Sequence, residues 1–218
     1  MSFLKGLWKR KKTGPRALEH PRDLVEGDLV QLANHYGLPE QLRDKMFKVI
    51  GICTYQFEHG NDTSFSLEST DNERINLTIE SDAGRETAAF SFTVDRSTVE
   101  ELFDLDEFAQ IFDGEDAVSL TMKSDAGLDG WVAAGYHQET KGEKGYFYDK
   151  DYRDSAPPVE EGTGEPFEYY FLLSDDETKG VEIEVFNGGE TEVSLVFYCD
   201  LEMIKDLWPA EQAPSESK

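Results

Sequence analysis

Ile75-Asn-Leu-Thr-Ile-Glu80-Ser-Asp-Ala-Gly84-Arg-Glu-Thr-Ala88-Ala-Phe-Ser-Phe-Thr-Val94 reads as two strands joined by a turn. Ile75, Leu77 and Ile79 alternate with Asn76, Thr78 and Glu80, and aromatic residues alternate with Ser and Thr over 88–94. This is the period-two pattern of strands with one apolar face. Between the runs, Ser81 and Asp82 can bond nearby amides and Gly84 can supply a positive φ, which suits a hairpin. The turn recurs: Leu77-Thr-Ile-Glu-Ser-Asp-Ala-Gly84 and Leu120-Thr-Met-Lys-Ser-Asp-Ala-Gly127 share Leu-Thr-x-x-Ser-Asp-Ala-Gly, and Leu173-Ser-Asp-Asp-Glu-Thr-Lys-Gly180 is a looser version. Three such units would not close a propeller, so the echo reads as hairpin chemistry or at most a faint duplication.

Similar runs fill the chain. Strands are expected near Asp28–Ala33, Phe47–Phe57, Phe65–Ser69, Ile75–Glu80, Ala88–Val94, Val118–Lys123, Trp131–His137, Tyr146–Tyr152, Phe167–Leu173, Val181–Phe186 and Val193–Cys199. Their spacing predicts a mostly β, α+β protein with antiparallel sheets, as a sandwich or partly open barrels. One main helix is expected near 97–112, opened by a capping box at Ser97-Thr-Val-Glu100. A short C-terminal helix over Leu201–Leu207 would stop at Trp208-Pro209. The folded body then spans 17–208, with two halves at about 17–115 and 116–208. Residues 1–16, the segment 154–166 and the tail 209–218 are too polar, or too rich in Pro and Gly, to repay ordering.

Charge divides the chain sharply. The first sixteen residues hold six Lys and Arg and no acidic residue, whereas the rest holds fifteen basic residues and all 46 Asp and Glu. A body at −31 disfavours nucleic acid, because phosphate binding needs basic residues gathered on one face. On a helix, Phe3, Leu4, Leu7 and Trp8 would share a sector opposite Lys5, Lys9 and Lys12, with Arg10 and Lys11 adding charge. That pattern suits docking to an anionic membrane surface or a groove on a partner protein, or simply a head lying on its own acidic body. No run approaches the length of a spanning helix and no uninterrupted apolar leader opens the chain, so a cytoplasmic location is expected, peripheral to the membrane if the head binds it.

Motifs that would announce chemistry are missing: there is no H-E-x-x-H, paired C-x-x-C, G-x-S-x-G or P-loop. Glu58-His59 with Asp62, and His137 with Glu139, offer only weak metal-ligand sets. Asp104 through Asp116 fails the spacing of a calcium loop, because Phe108 and Ala109 stand where an oxygen ligand and Gly are required. Cys53 and Cys199 lie in apolar runs, as small buried thiols do. No cofactor or catalytic residue is therefore expected.

Tyr146-Phe-Tyr148, Tyr152, Phe167, Tyr169-Tyr170-Phe171 and Phe197-Tyr198 are numerous enough to line a ligand groove, although strand alternation alone places about half of them in a core. Three functions stay open: a non-enzymatic accessory protein docking through its head; a small-ligand binder or unfamiliar enzyme using the aromatic second half, favoured by a deep pocket joining rings to His137 or His59; and an acidic DNA mimic that binds a basic protein.

The order Met-Ser-Phe-Leu-Lys with a Lys/Arg cluster, then Leu24-Val-Glu-Gly-Asp-Leu-Val30, then Phe47-Lys-Val-Ile-Gly-Ile52 resembles the YjfK-like family of bacterial proteins of unknown function. The resemblance implies an accessory role near a membrane, since members tend to be encoded beside PspA-like membrane-stress proteins. It carries no catalytic residues.

Overall fold

Eleven strands form one antiparallel sheet that curls until two of its members meet. The computed structural model describes residues 16–113, 116–158 and 162–210. The strands are β1 (Leu29–Leu32), β2 (Met46–Phe57), β3 (Gly60–Ser69), β4 (Arg74–Asp82), β5 (Arg85–Val94), β6 (Ser119–Thr121), β7 (Gly135–Tyr148), β8 (Glu165–Ser174), β9 (Lys179–Phe186), β10 (Thr191–Asp200) and β11 (Ile204–Trp208). The order is β11-β1-β2-β3-β4-β5-β10-β9-β8-β7-β6, and β2 also pairs with β7. Two four-stranded meanders, β2 to β5 and β7 to β10, therefore join at a β5–β10 seam and a β2–β7 seam to close an eight-stranded barrel. The second seam is short, running from Thr54↔Tyr148 to Gln56↔Tyr146. The mostly β, antiparallel architecture is as expected, and it takes the form of a closed barrel: the contact that closes it pairs residues about ninety apart in sequence, which local periodicity does not reveal.

Two further expectations change. The main helix is two short ones, α1 (Arg96–Leu102) and α2 (Leu105–Ala109). Asp95, not Ser97, caps α1 by accepting from the Thr98 amide at 2.8 Å. Phe103 then turns extended and bridges Met122, and Asp104 caps α2. An Asp that accepts from amides two and three residues ahead starts a helix better than it continues one. The C-terminal helix is replaced by a single 3₁₀ turn at Leu201–Met203 followed by β11, which pairs with β1 from Leu29↔Trp208 to Leu32↔Ile204. The open edge of β1 overrides the local propensity.

The runs at Trp131 and Tyr146 belong to one element. β7 crosses the polar stretch between them by two register shifts against β8, with Gly142 at φ +64°. Trp131 lies before the strand and is buried. Ala83–Gly84 and Ala126–Gly127 both adopt positive φ, but the first pair turns the β4–β5 hairpin while the second lies in the β6–β7 connection.

On β4, β5, β9 and β10 the alternating apolar residues point away from the barrel interior, whereas β2 and β8 also turn rings inward. Leu77, Phe90, Ile183 and Leu195 are buried in a single cluster with Leu24, Leu38 and Leu42 of the N-terminal segment and Leu102, Phe103, Ile111 and Trp131 of the β5–β7 connection. Rings mark the contact: Trp131 meets Phe92 and Phe197 edge-on at 4.7 and 6.3 Å. The hydrophobic core thus wraps the outside of the barrel. Asp28, 1% exposed, fastens the wrap by accepting from the Val25 amide at 2.9 Å, the Ala210 amide at 3.0 Å and the Arg16 guanidinium.

Candidate functional site

Residues of all eight barrel strands surround a cavity of about 430 Å³. Its two sides differ. On β3, β4, β5 and β10 the inward residues are small: Ser64, Asn76, Thr78, Ala89, Ser91, Thr93 and Ser194. Opposite them runs an arc of rings. Phe147 contacts Tyr55 at 5.3 Å, Tyr55 and Phe57 both meet Phe167 at 5.7 Å, Phe57 meets Tyr169 at 5.5 Å, and Phe171 sits 6.4 Å from both Tyr169 and Tyr198. Two glycines make room for the arc: a Cβ on Gly145 would lie 2.5 Å from the Phe167 ring, and one on Gly180 would lie 2.6 Å from Phe171.

Six carboxylates line the cavity, Asp62, Glu80, Glu143, Glu182, Glu184 and Glu192, and no lysine or arginine is among the described lining residues. Tyr169 donates to Glu182 at 3.0 Å, while Tyr55 and Tyr198 lie near Glu184 and Glu80. Glu184 stands directly across from Glu192 in the β9–β10 ladder, a like-charge pairing that costs stability.

Protein walls make these charges expensive. Burial, with the charges of Glu80 and Asp62, pushes Glu182 up to about 7 against the Tyr169 hydrogen bond. Burial, then Glu182 and Glu192, pushes Glu184 up to about 8. Asp62 and Glu80 are raised for the same first reason. Water still reaches the group, since Glu80 is exposed and Glu182 and Glu184 are half-buried. The lumen is therefore a wet, walled, acidic chamber in which a shared proton or an incoming cation relieves repulsion.

The sequence candidates fall in different places. Phe3, Leu4, Lys5, Leu7, Trp8, Lys9, Arg10, Lys11 and Lys12 lie outside the described residues. His59 and Asp62 border the cavity, whereas His137 does not: it pairs with Glu139 at 2.8 Å on the far part of β7. Among the described residues no three His, Cys, Asp or Glu side chains are arranged around a metal position. Cys53 and Cys199 are free half-buried thiols, and burial pushes both up to about 12, so neither is a nucleophilic thiolate at neutral pH. No described helix is long and apolar enough to cross a membrane.

Of the aromatic run, Phe167, Tyr169, Phe171 and Tyr198 join the arc, while Tyr170 and Phe197 turn into the outer core. Sequence reasoning missed Glu182 and Glu184. Their signal is Val181-Glu-Ile-Glu-Val185, where carboxylates alternate with β-branched residues in a strand flanked by strands on both sides.

No family model, curated protein or solved structure matches the chain. The cavity itself must carry the argument for function.

Proposed function

We propose that this protein binds a small molecule in the lumen of its barrel. One observation carries the reading. An eight-stranded barrel interior is just wide enough for side chains to fill, yet here small residues on one wall leave about 430 Å³ open, within the usual range of about 300–1,000 Å³ for ligand sites. The rings supply apolar contact area, and the hydroxyl and carboxylate groups facing them supply orientation. His59 at the rim joins the rings in one cavity.

The test is ligand-observed NMR with benzyl alcohol, phenol and benzylamine on the full chain and on a plugged variant, Ser91→Trp, whose new ring would occupy the lumen between β4 and β10. We expect at least one fragment to show saturation transfer that disappears in the plugged protein while its melting temperature stays within a few degrees. Thr78→Phe serves as a second plug if the first fails to fold. Equal signals with and without a folded plug, or no signal from any fragment, would overturn the reading.

A further inference from the structure

From the lumen's walls we infer that its ligand is an organic cation, an alkylammonium or quaternary ammonium group carrying an apolar body; this rests on the lumen being a ligand site. Anions are disfavoured at once. No lysine or arginine is among the described lining residues, and a body at −31 disfavours an approaching anion. An inorganic divalent ion fits no better, because it wants several oxygens converging at about 2.0–2.6 Å. The carboxylates here are spread along the lumen instead, on β3, β4, β7, β9 and β10.

A bulky, weakly hydrated cation matches that distribution. Its charge can be shared between Glu182 and Glu184, which alternate along one strand, while the rings of Tyr55, Phe57 and Tyr169, backed by Phe167, pack around its carbon atoms. Aromatic walls attract such cations through the negative faces of their rings. The Tyr169 hydroxyl already donates to Glu182, which orients that carboxylate and leaves the ring free to act as a wall. A neutral ligand would leave the carboxylates unanswered. A cation removes their mutual repulsion, and the gain is specific to the bound state.

The experiment is isothermal titration calorimetry of the full chain at 0.15 M salt with three probes of one shape class: benzyltrimethylammonium, benzyl alcohol and benzoate. The expected result is saturable one-to-one binding of benzyltrimethylammonium, at least about tenfold tighter than benzyl alcohol, which corresponds to the roughly 1.4 kcal/mol that such contacts supply. Benzoate should not bind. The double variant Glu182→Gln, Glu184→Gln keeps the shape and removes the charge, and it should abolish the preference for the cation without losing benzyl alcohol. Equal affinity for cation and alcohol, unchanged in the double variant, would overturn the inference and leave the lumen a site for neutral ligands. Cation binding that is multiple, lost at 0.15 M salt and indifferent to both substitutions would overturn it as surface screening. Binding of no probe would remove the lumen site and the inference together.

Discussion

Glu184→Gln should stabilise the ligand-free protein, and increasingly so as pH rises from about 4.5 to about 8. Glu184 is raised to about 8 from an ordinary 4.5 by burial and by the charges of Glu182 and Glu192. The folded state therefore holds a proton on this group where the unfolded chain has released it. Stability from this source is full below about pH 4.5 and is lost as pH rises through about 8. At about 1.4 kcal/mol per tenfold change in proton affinity, the limit is a few kcal/mol, and water in the lumen screens a good part of it. We expect about 2 kcal/mol to be recovered at pH 9. For a protein of this size that is a rise of roughly 4–8 °C in melting temperature, against a much smaller one at pH 5. Gln has the size and shape of Glu, so the substitution changes charge and little else. Differential scanning calorimetry of both proteins between pH 5 and 9 makes the comparison. A shift of equal size at both ends, or destabilisation at pH 9, would refute the picture of a walled acidic lumen.

Other perturbations probe the frame around the lumen. Asp28→Ala removes the acceptor of the Val25 and Ala210 amides and the partner of Arg16; losing buried charge-assisted bonds of this kind should cost about 3 kcal/mol and lower the melting temperature by roughly 10 °C in the same calorimeter. Ala83→Gly should raise stability by about 1 kcal/mol, read as a later urea midpoint, because Ala83 holds φ +47° at no benefit from its Cβ. Asp95 is held below the usual carboxylate range, first by the Thr98 amide and then by the Ser97 and Thr98 hydroxyls, so its contribution exists above the ordinary value and fades as pH falls through the lowered one. Asp95→Ala should therefore melt earlier than the parent at pH 7 and together with it near pH 2, by circular dichroism.

The strands were legible because β-rich alternation is a local signal, and the runs at 47–57, 75–80 and 181–186 each sit within an observed strand. Which way their faces point was not. Ile75, Leu77 and Ile79 mark an apolar face in sequence, but nothing in the run says whether that face meets the barrel interior or a wrapping segment. The answer depends on the β2–β7 closure and on Trp131 and Leu102 arriving from elsewhere. For the same reason Glu182 and Glu184 look like the solvent side of an ordinary strand. Phe103 and Asp104 break the helix through a bridge to Met122, a partner invisible from within 97–112. The end of the chain at 204–208 takes its structure from β1, some 175 residues away.

The placement of the core bears on function. A barrel that filled its lumen with Leu and Val would gain burial energy on both faces of every strand, at about 25 cal/mol per Å² of apolar surface. This one buries its outward faces and, beside the rings of one wall, places serines, threonines and carboxylates inward, including the Glu184–Glu192 pair set directly opposite each other. Such choices weaken the fold, and they are concentrated on the one surface that an outer core has already relieved of holding the barrel together. Local rules are broken in this way where another demand is being met. If the demand were solubility alone, the carboxylates would stand on the outside, where bulk water screens them. Their position between rings, with Glu182 bonded to the Tyr169 hydroxyl, is what the proposed cationic ligand would account for.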